Sequence, residues 1–144
     1  MSLLEQISNL HLVGVAIGAG LGAVCRGGLD ANVIRRVGVT RLPWATLTVN
    51  VVGSLILGLV LGWSAAVVSA SGVTPGQVQD ALTAELIIGT GFAGGLTTFS
   101  TFSWESFRLV NEGRARSMVS YAVLTIVLTF AAVALGLFLG RQLG

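Results

Sequence analysis

Apolar positions dominate four long stretches of the chain, at residues 12–29, 45–69, 82–109 and 117–139, with short polar gaps between them. A helix needs about 20 mainly apolar residues to cross a bilayer. The pattern therefore predicts an all-α integral membrane protein of four transmembrane helices, a single transmembrane domain over residues 1–144. The first stretch has no basic lead and no clear small-residue cleavage site, and it is too long for the apolar core of a signal peptide. It is expected to remain as a helix of the mature protein.

Polar and small residues recur within these stretches at helical spacing. Gly14, Gly18 and Gly22 follow one another at four-residue intervals and are succeeded by Arg26, a flat strip that lets another helix approach closely and that ends near an interface. Thr46, Asn50, Ser54 and Gly58 share one face of the second helix. An amide at that depth needs a partner or water, and interhelical bonding is its plain alternative to a role in transport. On the fourth helix Ser117, Tyr121, Thr125 and Thr129 form a stripe that should face protein or water, unless its hydroxyls simply bond back to their own helix.

The third stretch is the least lipid-like. Gly89, Gly91, Gly94 and Gly95 lead into Leu96-Thr97-Thr98-Phe99-Ser100-Thr101-Phe102-Ser103, with Glu105 after it. Such a run predicts a helix broken near residues 94–97, which is tolerated only where protein or a water-filled cavity covers the exposed backbone. A helix restarting near Thr97 or Thr98 places Phe99 and Phe102 on one face, beside a polar line of Thr98, Thr101 and Glu105. Two phenylalanines in a membrane helix usually mean packing or lipid contact. Here they are interleaved with five hydroxyl residues, which a purely apolar face does not need. Between the second and third helices Ser71, Gly72, Thr74, Pro75 and Gly76 read as a turn-rich, mobile loop.

Composition sharpens the picture. Hydrophobic residues make up 53 % and charged ones 10 % of the chain, too few charges for a water-exposed surface. Cys25 is the only cysteine, which leaves no internal disulfide or cysteine metal site and suggests packing. All eight cations are arginine. Arg26, Arg35, Arg36 and Arg41 fall in the first connection and Arg108, Arg114 and Arg116 in the third, against Arg141 alone at the other side. The positive-inside rule puts the first and third connections in the cytoplasm and both termini outside.

The polar stripes gather hydroxyls, one amide and two rings, with few ionisable groups near mid-membrane. Hydroxyl and amide groups can donate to an anion, and a phenyl edge is the electropositive part of its quadrupole. A cation path would show interior carboxylates, and only Glu85 and Glu105 are candidates, each toward an end of the third stretch. His11, the sole histidine, precedes the first helix, and no nucleophile–base pair or nucleotide-binding loop is evident. The chain is not expected to be an enzyme or to bind nucleic acid.

At these residues the chain resembles the Fluc family of fluoride channels, also called CrcB proteins. The specific parts are Thr46-Leu47-Thr48-Val49-Asn50-Val51-Val52-Gly53-Ser54 and Gly91-Phe92-Ala93-Gly94-Gly95-Leu96-Thr97-Thr98-Phe99-Ser100-Thr101-Phe102-Ser103-Trp104-Glu105, with a weaker echo in Gly20-Leu21-Gly22-Ala23-Val24-Cys25-Arg26. Ala93 stands where cysteine is frequent, and Gly27 where an aromatic is usual.

The resemblance implies passive export of fluoride across a bacterial inner membrane, through an antiparallel, dual-topology dimer with a structural sodium ion at its interface. It implies that Asn50 is the pore-entrance amide and that the ring edges of Phe99 and Phe102 meet fluoride. It further implies that Ser100, Thr101, Ser103 and Tyr121 supply polar pore contacts, that Gly94 and Thr97 offer carbonyls to sodium, and that Arg26 lies by the aqueous vestibule. The arginine bias adds an expectation of its own: one fixed orientation, and pairing with a second Fluc-like chain of opposite topology rather than with itself. A small proton-coupled multidrug transporter and a non-conducting partner subunit are the alternatives. The first wants a membrane-buried carboxylate that the first helix lacks, and the second has no need of intact polar stripes.

Overall fold

A computed structural model describes residues 3–38 and 42–144, with side chains from His11 onward. Its described residues form helices α1 (Leu3–Val37), α2 (Trp44–Ser69), α3 (Pro75–Ala84), a π-helical stretch (Glu85–Ala93), the short turn α4 (Gly94–Leu96), α5 (Phe99–Asn111) and α6 (Ala115–Arg141). From α3 to α5 the chain makes one bent span, Pro75–Asn111, so four segments are long and apolar enough to cross a membrane. The third of them is the least apolar, as its glycines and hydroxyls predict.

The first helix is longer than its apolar stretch. Its 35 residues reach about 52 Å, well beyond a hydrocarbon core of about 30 Å. Arg26, Arg35 and Arg36 therefore lie on α1 and not in a connection, and His11 lies inside the helix and not before it. The polar extension stays helical because backbone bonds need no lipid. Asn32 also accepts from Arg35 Nη2 at 2.7 Å, one turn apart. Gly38 ends it, with φ at 71° and its amide bonded to the Ile34 carbonyl, a left-handed cap that favours glycine. Arg41 falls outside the described residues.

The third span starts earlier than its apolar pattern. Thr74 accepts from the Gln77 amide while Gln77 bonds back to Thr74, a complete capping box with Pro75 in the first turn. Thr74, Pro75 and Gly76 thus begin α3, and only the preceding residues are loop. The ends of α2 and α6 depart from the sequence reading by no more than two residues.

Glycines set the packing. Helix α2 makes its most extensive contact with α6, and α1 with the π-helical stretch and α4. A β-carbon on Gly22 would collide with the Phe92 carbonyl, and one on Gly136 would come within 2.5 Å of the Leu55 carbonyl. Both seams therefore exist only because backbone meets backbone; the Gly14-Gly18-Gly22 strip anticipates the one on α1. Cys25 is exposed on this chain and does not pack inside it, since it lies off that strip.

Candidate functional site

The third span breaks two residues past its paired glycines. Gly94–Leu96 is still helical; Thr97 and Thr98 are extended, with ψ of 160° and 122°. Thr98 caps the restart, its Oγ1 accepting from the Thr101 amide at 3.2 Å and donating to Thr101 Oγ1 at 3.0 Å. The Ser100 hydroxyl lies 3.3 Å from the same oxygen.

Two other helices hold the broken peptide. Asn50, buried at 8 % exposure, donates from Nδ2 to the Thr98 carbonyl at 3.1 Å and accepts from the Thr98 amide through Oδ1 at 2.7 Å. The amide thus does the work that a helical turn would have done, and Nδ2 keeps one further hydrogen to donate. From α1, Arg26 Nη1 donates to the Thr97 carbonyl at 3.1 Å. Arg26 therefore reaches the break itself.

Aromatic rings continue the row. Phe99 and Phe102 have centroids 6.0 Å apart, and Phe102 and Tyr121 5.2 Å. Tyr121 is 1 % exposed and donates to Glu105 Oε2 at 2.8 Å, whereas Phe99 is 79 % exposed. One face of the break opens into a cavity of about 580 Å³ lined by Asn50, Ser54, Thr90, Thr98, Phe99 and Phe102 among others, with Thr125 and Thr129 across from them. None of its lining residues is ionisable. Each ring can turn a positive edge, and the unpartnered Thr125 hydroxyl a donor, to an ion without any fixed charge to trap it.

The sequence-predicted residues divide. Asn50, Phe99 and Phe102 meet at the cavity, and Tyr121 joins them through Phe102. Ser103 donates to the Phe99 carbonyl at 2.9 Å, which ties its hydrogen to its own helix. Ser100 is exposed and Thr101 half-buried beside the Thr98 cap. On α6 the stripe splits as well: Thr129 bonds back to the Thr125 carbonyl at 2.7 Å, while Thr125 Oγ1 is buried with no hydrogen-bond partner. Sequence reasoning placed Thr125 on the stripe but not in the site; the four-residue spacing was the available signal. The Glu105–Tyr121 bond joins residues 16 apart on different helices and leaves no trace in any local pattern.

Gly94 and Thr97 meet the elementary demands of a hard cation. They sit at the carbonyl end of a half-helix, where oxygens lack helical donors and carry negative partial charge. A β-carbon on Gly94 would meet nothing within 4 Å, so the space beside its Cα is open. The Thr97 hydroxyl donates to the Gly94 carbonyl at 3.2 Å, which keeps the two residues together. Among the described residues no group of three or more histidine, cysteine or carboxylate side chains could hold a metal.

Residues 13–137 match the family described as CrcB-like protein, Camphor Resistance (CrcB). The chain is 37 % identical over 134 residues to the fluoride-specific ion channel FluC of Syntrophotalea carbinolica, covering 93 % of this chain and 100 % of that one. It is 40 % identical over 134 residues to fluoride-specific ion channel FluC 1 of Leifsonia xyli subsp. xyli, covering 93 % and 89 %. To the FluC of a Methylobacterium species it is 36 % identical over 135 residues, covering 94 % and 99 %.

Proposed function

The chain belongs to the CrcB family, and we propose that it is a fluoride-selective ion channel through which cytoplasmic fluoride leaves the cell passively. The observation that carries this reading is the row of Phe99, Phe102 and Tyr121 at a helix break whose cavity has hydroxyl and amide donors and no ionisable lining. A small anion loses water at the mouth and receives donors from Asn50, the Thr98 turn and the ring edges one after another. No single partner binds it tightly enough to stop it. Weak acid that enters as HF ionises inside, so export down the resulting gradient needs no energy source.

The wall of this passage is incomplete in one chain. Phe99 is 79 % exposed, and the cavity beside it is open. A second, antiparallel subunit laid on this face would close the path and bring a second pair of Gly94 and Thr97 carbonyls to the first. A sodium ion bound there would link the two half-helix ends and neutralise their partial charge. The membrane is taken to be the bacterial plasma membrane.

Glu105 is tied to the buried Tyr121 hydroxyl and does not line the cavity, which speaks against a proton-coupled drug site on that carboxylate. Proteoliposomes loaded with fluoride and assayed with a fluoride electrode test the reading: rapid efflux under an electrical shunt, with no proton gradient, is expected. Efflux that appears only with a proton gradient would replace the channel by a coupled transporter.

A further inference from the structure

Arg26 and Thr97 are 71 positions apart, yet the guanidinium reaches the Thr97 carbonyl in a half-buried bond of 3.1 Å. That oxygen has no helical donor, because the Thr101 amide that would normally bond it is taken by the Thr98 hydroxyl. A carbonyl has two lone pairs, so it can accept from Arg26 and still face an ion. The two partners are compatible in space and opposed in charge.

Asp30 lies one turn further along α1. It interacts electrostatically with Arg26, and its Oδ1 is buried without a hydrogen-bond partner. It tempers the positive field of the guanidinium without being bonded to it through that oxygen.

Resting on the sodium site proposed above, we infer that Arg26 is a positioning residue that shares the Thr97 carbonyl with the ion. Its hydrogen bond holds the broken peptide from α1, and its fixed charge sets how weakly sodium binds. Removing the charge should tighten sodium binding; removing the neighbouring negative charge should loosen it. A merely structural arginine would move neither.

The test is equilibrium binding of radiolabelled sodium to the intact protein in liposomes, with fluoride efflux read from the same preparation. Arg26→Gln, which keeps a donor and loses the charge, should lower the half-saturating sodium concentration by about tenfold or more, the scale of a like-charge repulsion across a few ångströms. Arg26→Lys should stay within about twofold of the parent, since it keeps the charge. Asp30→Asn should raise the midpoint several-fold, and it decides the question if Arg26→Gln does not assemble. Equal midpoints in Arg26→Gln and the parent, or in Asp30→Asn and the parent, would overturn the inference. Absence of saturable sodium binding by the parent would remove the sodium site and this role with it. Efflux reports separately on the channel reading: sodium binding that responds as expected without any fluoride efflux would sink the channel and leave Arg26 in its role.

Discussion

Asn50 and Thr98 exchange two hydrogen bonds across the break in the third span, at 3.1 and 2.7 Å, although 48 positions separate them. A side-chain amide carries, without any charge, both an acceptor for a peptide N–H and a donor for a peptide C=O. The site is built around that pairing.

Asn50→Ala should therefore leave two buried backbone groups unpaired. At about 1–3 kcal/mol for each such group, the loss of stability should be about 2–6 kcal/mol. Thermal unfolding in detergent measures it, and fluoride efflux should fall in step because the turn that aims Phe99 is released. A variant as stable as the parent would mean that water replaces the amide.

Phe102→Ile and Phe99→Ile keep apolar bulk and remove the ring edge. A contact of about 1.5 kcal/mol corresponds to about tenfold in rate, so efflux should drop by that much or more. The exposed Phe99 should cost the fold little, whereas Phe102 packs on the core formed with Leu47, Leu109 and Tyr121 and should cost more. Unchanged efflux in both would remove the rings from the ion path.

Tyr121→Phe strips the donor from Glu105 Oε2 in a buried setting. A loss of about 1–3 kcal/mol is expected, and Glu105→Gln, which can still accept from the phenol, should lose less. Comparing the two unfolding midpoints separates the bond from the charge.

Glycine substitutions should sort by backbone approach. Gly22→Ala meets the Phe92 carbonyl and should destabilise the chain by about 1–3 kcal/mol or more, whereas Gly94→Ala meets nothing within 4 Å of its own chain. If Gly94→Ala nonetheless weakens subunit association, as cross-linking would reveal, the obstruction comes from the second subunit.

The arginine distribution makes a prediction about orientation. Arg26, Arg35, Arg36, Arg41, Arg108, Arg114 and Arg116 flank one side and Arg141 the other, so this chain should insert one way and pair with an oppositely biased chain. Cysteine labelling from either side of the native membrane should find its first and third connections facing the cytoplasm in nearly every copy. Equal populations of both orientations from this chain alone would show that it pairs with itself.

Much of this was legible in the chain. Apolar length marked four spans, since a bilayer core demands it of any helix that crosses. Four-residue spacing marked the faces carrying Asn50, Tyr121 and Thr125, and the glycine–hydroxyl run marked the break to within a few residues. Each of these signals is local, a property of one helix and its solvent.

What the tertiary structure decided is which partner each marked group meets. That Asn50 answers Thr98, that Arg26 reaches Thr97, and that Tyr121 bonds Glu105 depend on how α1, α2 and α6 lie against the third span, and no periodicity within a helix encodes the position of another. The same holds for helix ends set by backbone bonding instead of lipid: α1 runs on to Gly38, and α3 begins at the Thr74 cap. The π-helical stretch from Glu85 to Ala93 likewise had no signature in the hydrophobic pattern. Hydrophobicity assigns residues to the membrane; hydrogen-bond geometry between helices assigns them to the site.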